Sequence, residues 1–160
     1  MTTVANKPKV PTKKEFQVSS ELRTIGEQVI KDKDFDYQGV KIEYLLVYPN
    51  ISKKVAGKCV RTGKELKFFS GFDYLIEMSG EIWDALKPAT QKILMQHELM
   101  HILLVDNEKT GDVDMKIRNH DVEDFASIIK EHGVDWIAEV KDTMASVYDM
   151  TPAERDSTQI

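Results

Sequence analysis

The tightest constraint in the chain is the pattern His97-Glu98-Leu99-Met100-His101, set inside a segment, Ala89 to Val105, that reads as a helix with apolar residues on nearly every side. Residues four apart share a helix face, so both imidazoles can turn toward one point. Burying two imidazoles and a carboxylate without partners costs roughly 2–7 kcal/mol per polar group. A divalent metal ion offsets that cost: two histidines ligate it, and the glutamate beside the first reaches a water held by the ion. With four His and thirteen Glu in 160 residues, the pattern arises by chance in about 0.8% of such chains. The competing reading, a pair of surface histidines beside a solvated glutamate, does not suit so apolar a helix.

A length of 160 residues predicts one domain, large enough to bury a core without a structural metal or disulfide. A metal in this chain is therefore expected for chemistry. The 41% hydrophobic and 31% charged composition is globular. The longest apolar runs, Tyr44 to Tyr48 and Ile102 to Val105, are far short of the roughly 20 residues of a membrane span. The lysines near the N-terminus have no apolar stretch after them, so no secretory signal is expected, and the lone Cys59 fits a reducing cytoplasm. A net charge of -5 argues against a dedicated nucleic-acid binder, whose phosphate affinity needs clustered Lys and Arg. The charge is uneven: residues 1–14 carry four lysines and no acid, whereas residues 106–160 carry fourteen acids against six bases. The expected organisation is a flexible basic arm over 1–15, a domain over 16–150 and a polar, frayed tail over 151–160.

Within the domain, Ser19 and Ser20 offer an N-cap to a first helix carrying Leu22, Ile25, Val29 and Ile30 at helical spacing. Val40 to Tyr48 is β-branched and aromatic and reads as a buried strand. Short strands are expected at Val55–Val60, Leu66–Phe69 and Phe72–Met78, separated by turn signals at Thr62-Gly63 and Ser70-Gly71, then a helical turn at Glu81–Leu86. The helix from Ala89 to Val105 is followed by a polar loop over 106–118, a helix from about His120 to His132, and a last one over Val134–Tyr148.

Two histidines leave a tetrahedral zinc site one protein ligand short. Downstream candidates are Asp106, Asp112, Asp114, His120, Asp121, Glu123, Asp124 and His132. His132 precedes Gly133 and reads as part of a helix C-cap, where the dipole favours it. Acids at a helix start complement the dipole, but His120 gains nothing there, so ligation explains it better. Glu123 is the alternative third ligand, with the aspartates behind it.

HELMHILL followed by NHDVEDFASIIKEHG, with FDYLIEMSGEIWDAL before it, resembles the small zincin-type metallopeptidases encoded by bacteriophages and prophages. The similarity runs from about Ile42 to Trp136. More loosely, the helix followed by His, Asp and a Phe is similar to SprT-like metalloproteases, where a histidine ahead of an aromatic-bearing helix supplies the third ligand. The resemblance implies His97, His101 and His120 as ligands of one zinc ion per chain, and Glu98 as general base and acid.

The expected fold is α+β and zincin-like: a small twisted sheet packed on the helix that bears the motif, with C-terminal helices bringing the third ligand. The resemblance to zincins also puts Phe72–Met78 at the edge of the sheet nearest the site, where an extended substrate would pair with it. The expected function is zinc-dependent hydrolysis of peptide bonds in a protein or peptide substrate, in the cytoplasm of a bacterial host. Arg118 and Tyr74 are candidates for stabilising the oxyanion. The alternative is a zinc-binding scaffold that docks to a host protein without cutting it.

Overall fold

The computed structural model describes residues 13–120 and 124–160. Residues of the basic arm up to 12, and the candidates Asp121 and Glu123, lie outside the described residues. The chain runs β1 (Glu15–Val18), α1 (Ser20–Asp32), β2 (Ile42–Tyr48), β3 (Gly57–Arg61), α2 (Lys64–Ser70), β4 (Tyr74–Ser79) and α3 (Gly80–Ala85). It continues with α4 (Pro88–Leu99), β5 (Ile102–Asp106), β6 (Val113–Ile117), α5 (Ala126–His132), α6 (Asp135–Tyr148) and α7 (Pro152–Asp156). The fold is mixed α+β in one domain, and no helix among the described residues is long and apolar enough to cross a membrane.

Four strands form a sheet in the order β1-β2-β4-β3, with β2 and β4 parallel and both outer strands antiparallel to their neighbours. Alternation along the two central strands decides which face is core: Ile42, Tyr44 and Leu46 of β2 register with Tyr74, Ile76 and Met78 of β4, and all six are buried. Helices α1 and α4 cover that face. Ser19 caps α1 by accepting a hydrogen bond from Leu22 N at 3.1 Å, as its sequence position predicts. Gly26 is where α1 meets the sheet most closely, since a Cβ there would lie 2.6 Å from Tyr44 Oη.

Several expectations are corrected. Leu66–Phe69 is helical: Gly63 and Gly71, which the sequence marks as turns, cap the two ends of α2, with Gly71 in the left-handed region at φ 77°. The apolar residues of α2 mislead because they are not core; Phe68 and Phe69 are 83% and 84% exposed. Phe72–Met78 was expected at an edge, yet β4 lies inside the sheet between β2 and β3. The edge beside α4 is β3, a strand with one positive charge at each of Lys58 and Arg61 that suits an exposed margin.

Helix α4 stops at Leu99 instead of Val105. Met100 N still bonds to Gln96 O, but His101 N turns to Glu98 O at 3.2 Å, and Tyr37 Oη takes the Leu99 carbonyl at 2.9 Å. The carbonyl that another turn would use is thereby partnered. Ile102–Asp106 then pairs as β5 with β6, so the supposed loop over 106–118 is a hairpin. Its tip is an Asn107 turn, with Oδ1 accepting from Lys109 N at 3.0 Å and Gly111 at φ 73°. A short apolar run fits helix or strand equally well by periodicity, which is why ILLV misleads.

The helix expected from His120 begins only at Ala126, leaving His120 in the connection after β6. The tail is not frayed: Thr151 and Glu154 form a capping box at α7, and Gln159 N bonds to Lys54 O at 2.7 Å.

Gly26→Ala gains about 1 kcal/mol of helix propensity. It also forces a methyl against the buried Tyr44 ring, an overpacking cost of about 1–3 kcal/mol or more. The ring edge leaves no room for a small adjustment, so the upper part of that range, about 2–3 kcal/mol, applies, and urea denaturation of Gly26→Ala should show net destabilisation of about 1–2 kcal/mol; unchanged or increased stability would mean that α1 is seated otherwise.

Candidate metal centre

The end of α4 and the segment after β6 meet at one point. His97 lies on the buried face of α4, 0% exposed, and His101 sits one turn later, just past the helix end. Their ring centroids are 5.3 Å apart, and His120 comes within 4.6 Å of His97 and 4.5 Å of His101. One ligand nitrogen from each of the three lies within 4.8 Å of the others, and this is the group able to hold a metal ion among the described residues. The structure brings together the three histidines nominated from the sequence. Glu123, the alternative, falls outside the described residues.

The outer nitrogens fix which atoms face inward. His97 Nδ1 is 2.6 Å from Asp124 Oδ1, and His101 Nδ1 is 2.7 Å from the Arg118 carbonyl. A carboxylate and a carbonyl oxygen can only accept, so both Nδ1 atoms carry the proton and both Nε2 lone pairs are left pointing into the cluster. His97 Nε2 is buried with no hydrogen-bond partner among the described residues. His101 Nε2 is 2.8 Å from His120 Nε2. Burial lowers the His101 pKa to about 4, against a smaller raising effect of the Arg118 carbonyl, so the ring is neutral at neutral pH. Imidazole nitrogens converging at a partly buried site, with one buried and unpartnered among the described residues, fit a divalent cation.

Arg118 is locked to this centre through its backbone: its N donates to the His101 carbonyl at 2.7 Å while its own carbonyl accepts from the His101 ring. Its guanidinium lies over the Phe125 ring at 4.7 Å, and Phe125 in turn packs against the rings of His97, His101 and His120 at 5.1–5.5 Å. Tyr74, the other oxyanion candidate, is fully buried and donates its hydroxyl to Lys116 O at 2.7 Å, holding the β5–β6 hairpin to the sheet. His132 ends α5 and Gly133 caps it at φ 75°, as expected, and its Nε2 meets Gln96 Oε1 at 3.0 Å. Asp124 touches His97 through the ring nitrogen facing away from the cluster. That position needs the tertiary fold to be seen, and nothing in the sequence singles out Trp136, whose Nε1 donates to Asp124 Oδ2 at 3.2 Å.

Glu98 is 1% exposed, with Oε1 unpartnered among the described residues and Oε2 3.9 Å from His101 Nε2. Burial, opposed by His97 and helped by Asp124, raises its pKa to about 7. Above it runs β3. A Cβ on Gly57 would come within 3.3 Å of Glu98 Cγ and 2.8 Å of Met78 Sδ, so only glycine lets the strand lie this close. Cys59, on the same face of β3, has its thiol pushed up by burial and by the Glu98 charge, and it is not part of the cluster.

An α+β domain with three imidazoles and a buried glutamate gathered at one helix end has the make-up of a metalloprotein. Residues 14–148 match the family described as putative phage metallopeptidase, and the chain belongs to that family. No curated protein and no solved structure matches it.

A raised carboxylate pKa stabilises the folded state below the unfolded pKa of 4.5 and loses that contribution as pH rises through about 7. In chelator-treated protein, Glu98→Gln should therefore match the parent near pH 4.5 and exceed it above pH 7, by on the order of 3 kcal/mol. Thermal melts across pH 4.5–8.5 measure the gap; a constant gap would show that Glu98 does not titrate in the buried state.

Proposed function

We propose that the protein is a zinc-dependent metallopeptidase in which His97, His101 and His120 hold one zinc ion and Glu98 is the general base and acid. The observation that carries this reading is the convergence of the three imidazoles beside a buried, unpartnered glutamate oxygen. When bound, zinc lowers the pKa of a water toward neutrality and polarises the scissile carbonyl. Glu98, with a pKa near 7 in the metal-free site, takes a proton from the attacking water and delivers it to the leaving amine. The Arg118 guanidinium lies over Phe125 beside the cluster, which supports it over the buried Tyr74 as the group that steadies negative charge on the carbonyl oxygen. β3, the outer strand that passes over Glu98 at Gly57, is in this reading the strand with which an extended peptide pairs through backbone hydrogen bonds, in place of the interior Phe72–Met78. Such pairing gives affinity without choice of sequence, so specificity falls to side-chain pockets. A phage-encoded peptidase of this kind works in the cytoplasm of the bacterial host.

Metal binding and hydrolysis should separate. Glu98→Gln keeps about one zinc per chain by elemental analysis yet loses cleavage of a proteome-derived peptide library by about 100-fold or more, whereas His97→Ala loses both. Cleavage by Glu98→Gln at the parental rate would remove Glu98 from the chemistry, and zinc without cleavage in the parent would favour the docking scaffold.

The ligand order is measured by zinc titration against a competing chelator. His120→Ala should weaken zinc far more than Glu123→Gln, because it removes one of the three ligand nitrogens from the ion. The reverse order would make Glu123 the third ligand.

A further inference from the structure

Asp124 is a fully buried carboxylate, 0% exposed, lying between the metal centre and the C-terminal helices. Its Oδ1 accepts from His97 Nδ1 at 2.6 Å and from Phe125 N at 2.7 Å, and its Oδ2 accepts from Trp136 Nε1 at 3.2 Å. Trp136 is 3% exposed on the first turn of α6, and its ring stands 5.6 Å from that of His97. The hydrogen-bonded path therefore runs from α6 through Asp124 to the imidazole whose Nε2 faces the cluster.

We infer that Trp136 is a positioning residue for the metal centre, acting through Asp124 on His97. A carboxylate on a freely turning side chain could offer either oxygen to the imidazole, or swing toward the cluster and compete as a ligand. The indole N–H holds Oδ2 on the side away from the histidines, which leaves Oδ1 aimed at Nδ1. That keeps the proton of His97 on Nδ1 and its lone pair on Nε2, and a carboxylate partner makes the imidazole a stronger donor to a metal. An indole suits this place because it fills an apolar space while supplying a single donor and no acceptor.

The inference rests on the proposed zinc site, so the test reads zinc binding and not peptidase activity. Zinc affinity is measured by chelator competition for the parent, Trp136→Phe, Asp124→Ala and the double variant, with circular dichroism of each metal-free protein as the folding control. Trp136→Phe keeps the aromatic packing but removes the donor, and should weaken zinc about 3–10-fold; Asp124→Ala should weaken it about 10–100-fold. In the Asp124→Ala background, adding Trp136→Phe should change affinity less than twofold, because the path is already cut. Asp124→Leu, similar in volume and without an acceptor, takes the same place in the cycle if Asp124→Ala does not fold. Unchanged zinc affinity in Trp136→Phe, or an equal loss in both backgrounds, overturns the positioning role while leaving the zinc site intact. A parent protein that takes up no zinc overturns both.

Discussion

A fully buried imidazole must find a partner for each ring nitrogen, and His97 sets that requirement for the whole molecule. Its Nδ1 is answered by Asp124, and Asp124 needs donors of its own, which Phe125 N and Trp136 supply. Satisfying one side chain of α4 thus draws in the segment before α5 and the first turn of α6. The other nitrogen faces His120 and His101 across a space with no donor for it among the described residues. A cation at that point completes the arrangement, and without one the burial of His97 is paid for only in part.

The same low-dielectric setting gives Glu98 its properties. In the metal-free site burial holds the proton of this carboxylate to about pH 7. Its position depends on two elements at once: α4 carries it, and β3 lies over it because Gly57 has no side chain where Met78 of β4 and Glu98 both come close. The ionisable side chain therefore sits at a seam between the sheet edge and the C-terminal half. The family match over residues 14–148 spans both sides of that seam.

The hairpin of β5 and β6 is the piece that makes the third histidine reachable. By ending α4 at Leu99 and folding the chain back along itself, it returns Arg118 to hydrogen-bond His101 twice, through N and O. His120 follows two residues later, at the height of the helix end. A helix continued to Val105 would carry the chain about 9 Å further along its axis before it could turn back.

The pairing of His97, Glu98 and His101 was legible in the sequence because it depends only on helical periodicity within four residues. The same holds for α1 with its Ser19 cap, for β2, and for Gly133 closing α5, each a local preference of backbone or capping group. His120 could be nominated from the sequence by elimination and by resemblance, but its place in a connection and not in a helix came from β-pairing between residues up to fifteen apart. Whether ILLV is helix or strand, and whether β4 is edge or interior, turn on which partners lie alongside, and hydrogen bonding between distant segments carries no local signature. The outer carboxylate and indole are more remote still: Asp124 and Trp136 meet His97 from 27 and 39 positions away, so only packing of the C-terminal helices onto α4 decided which groups stand behind the histidine cluster.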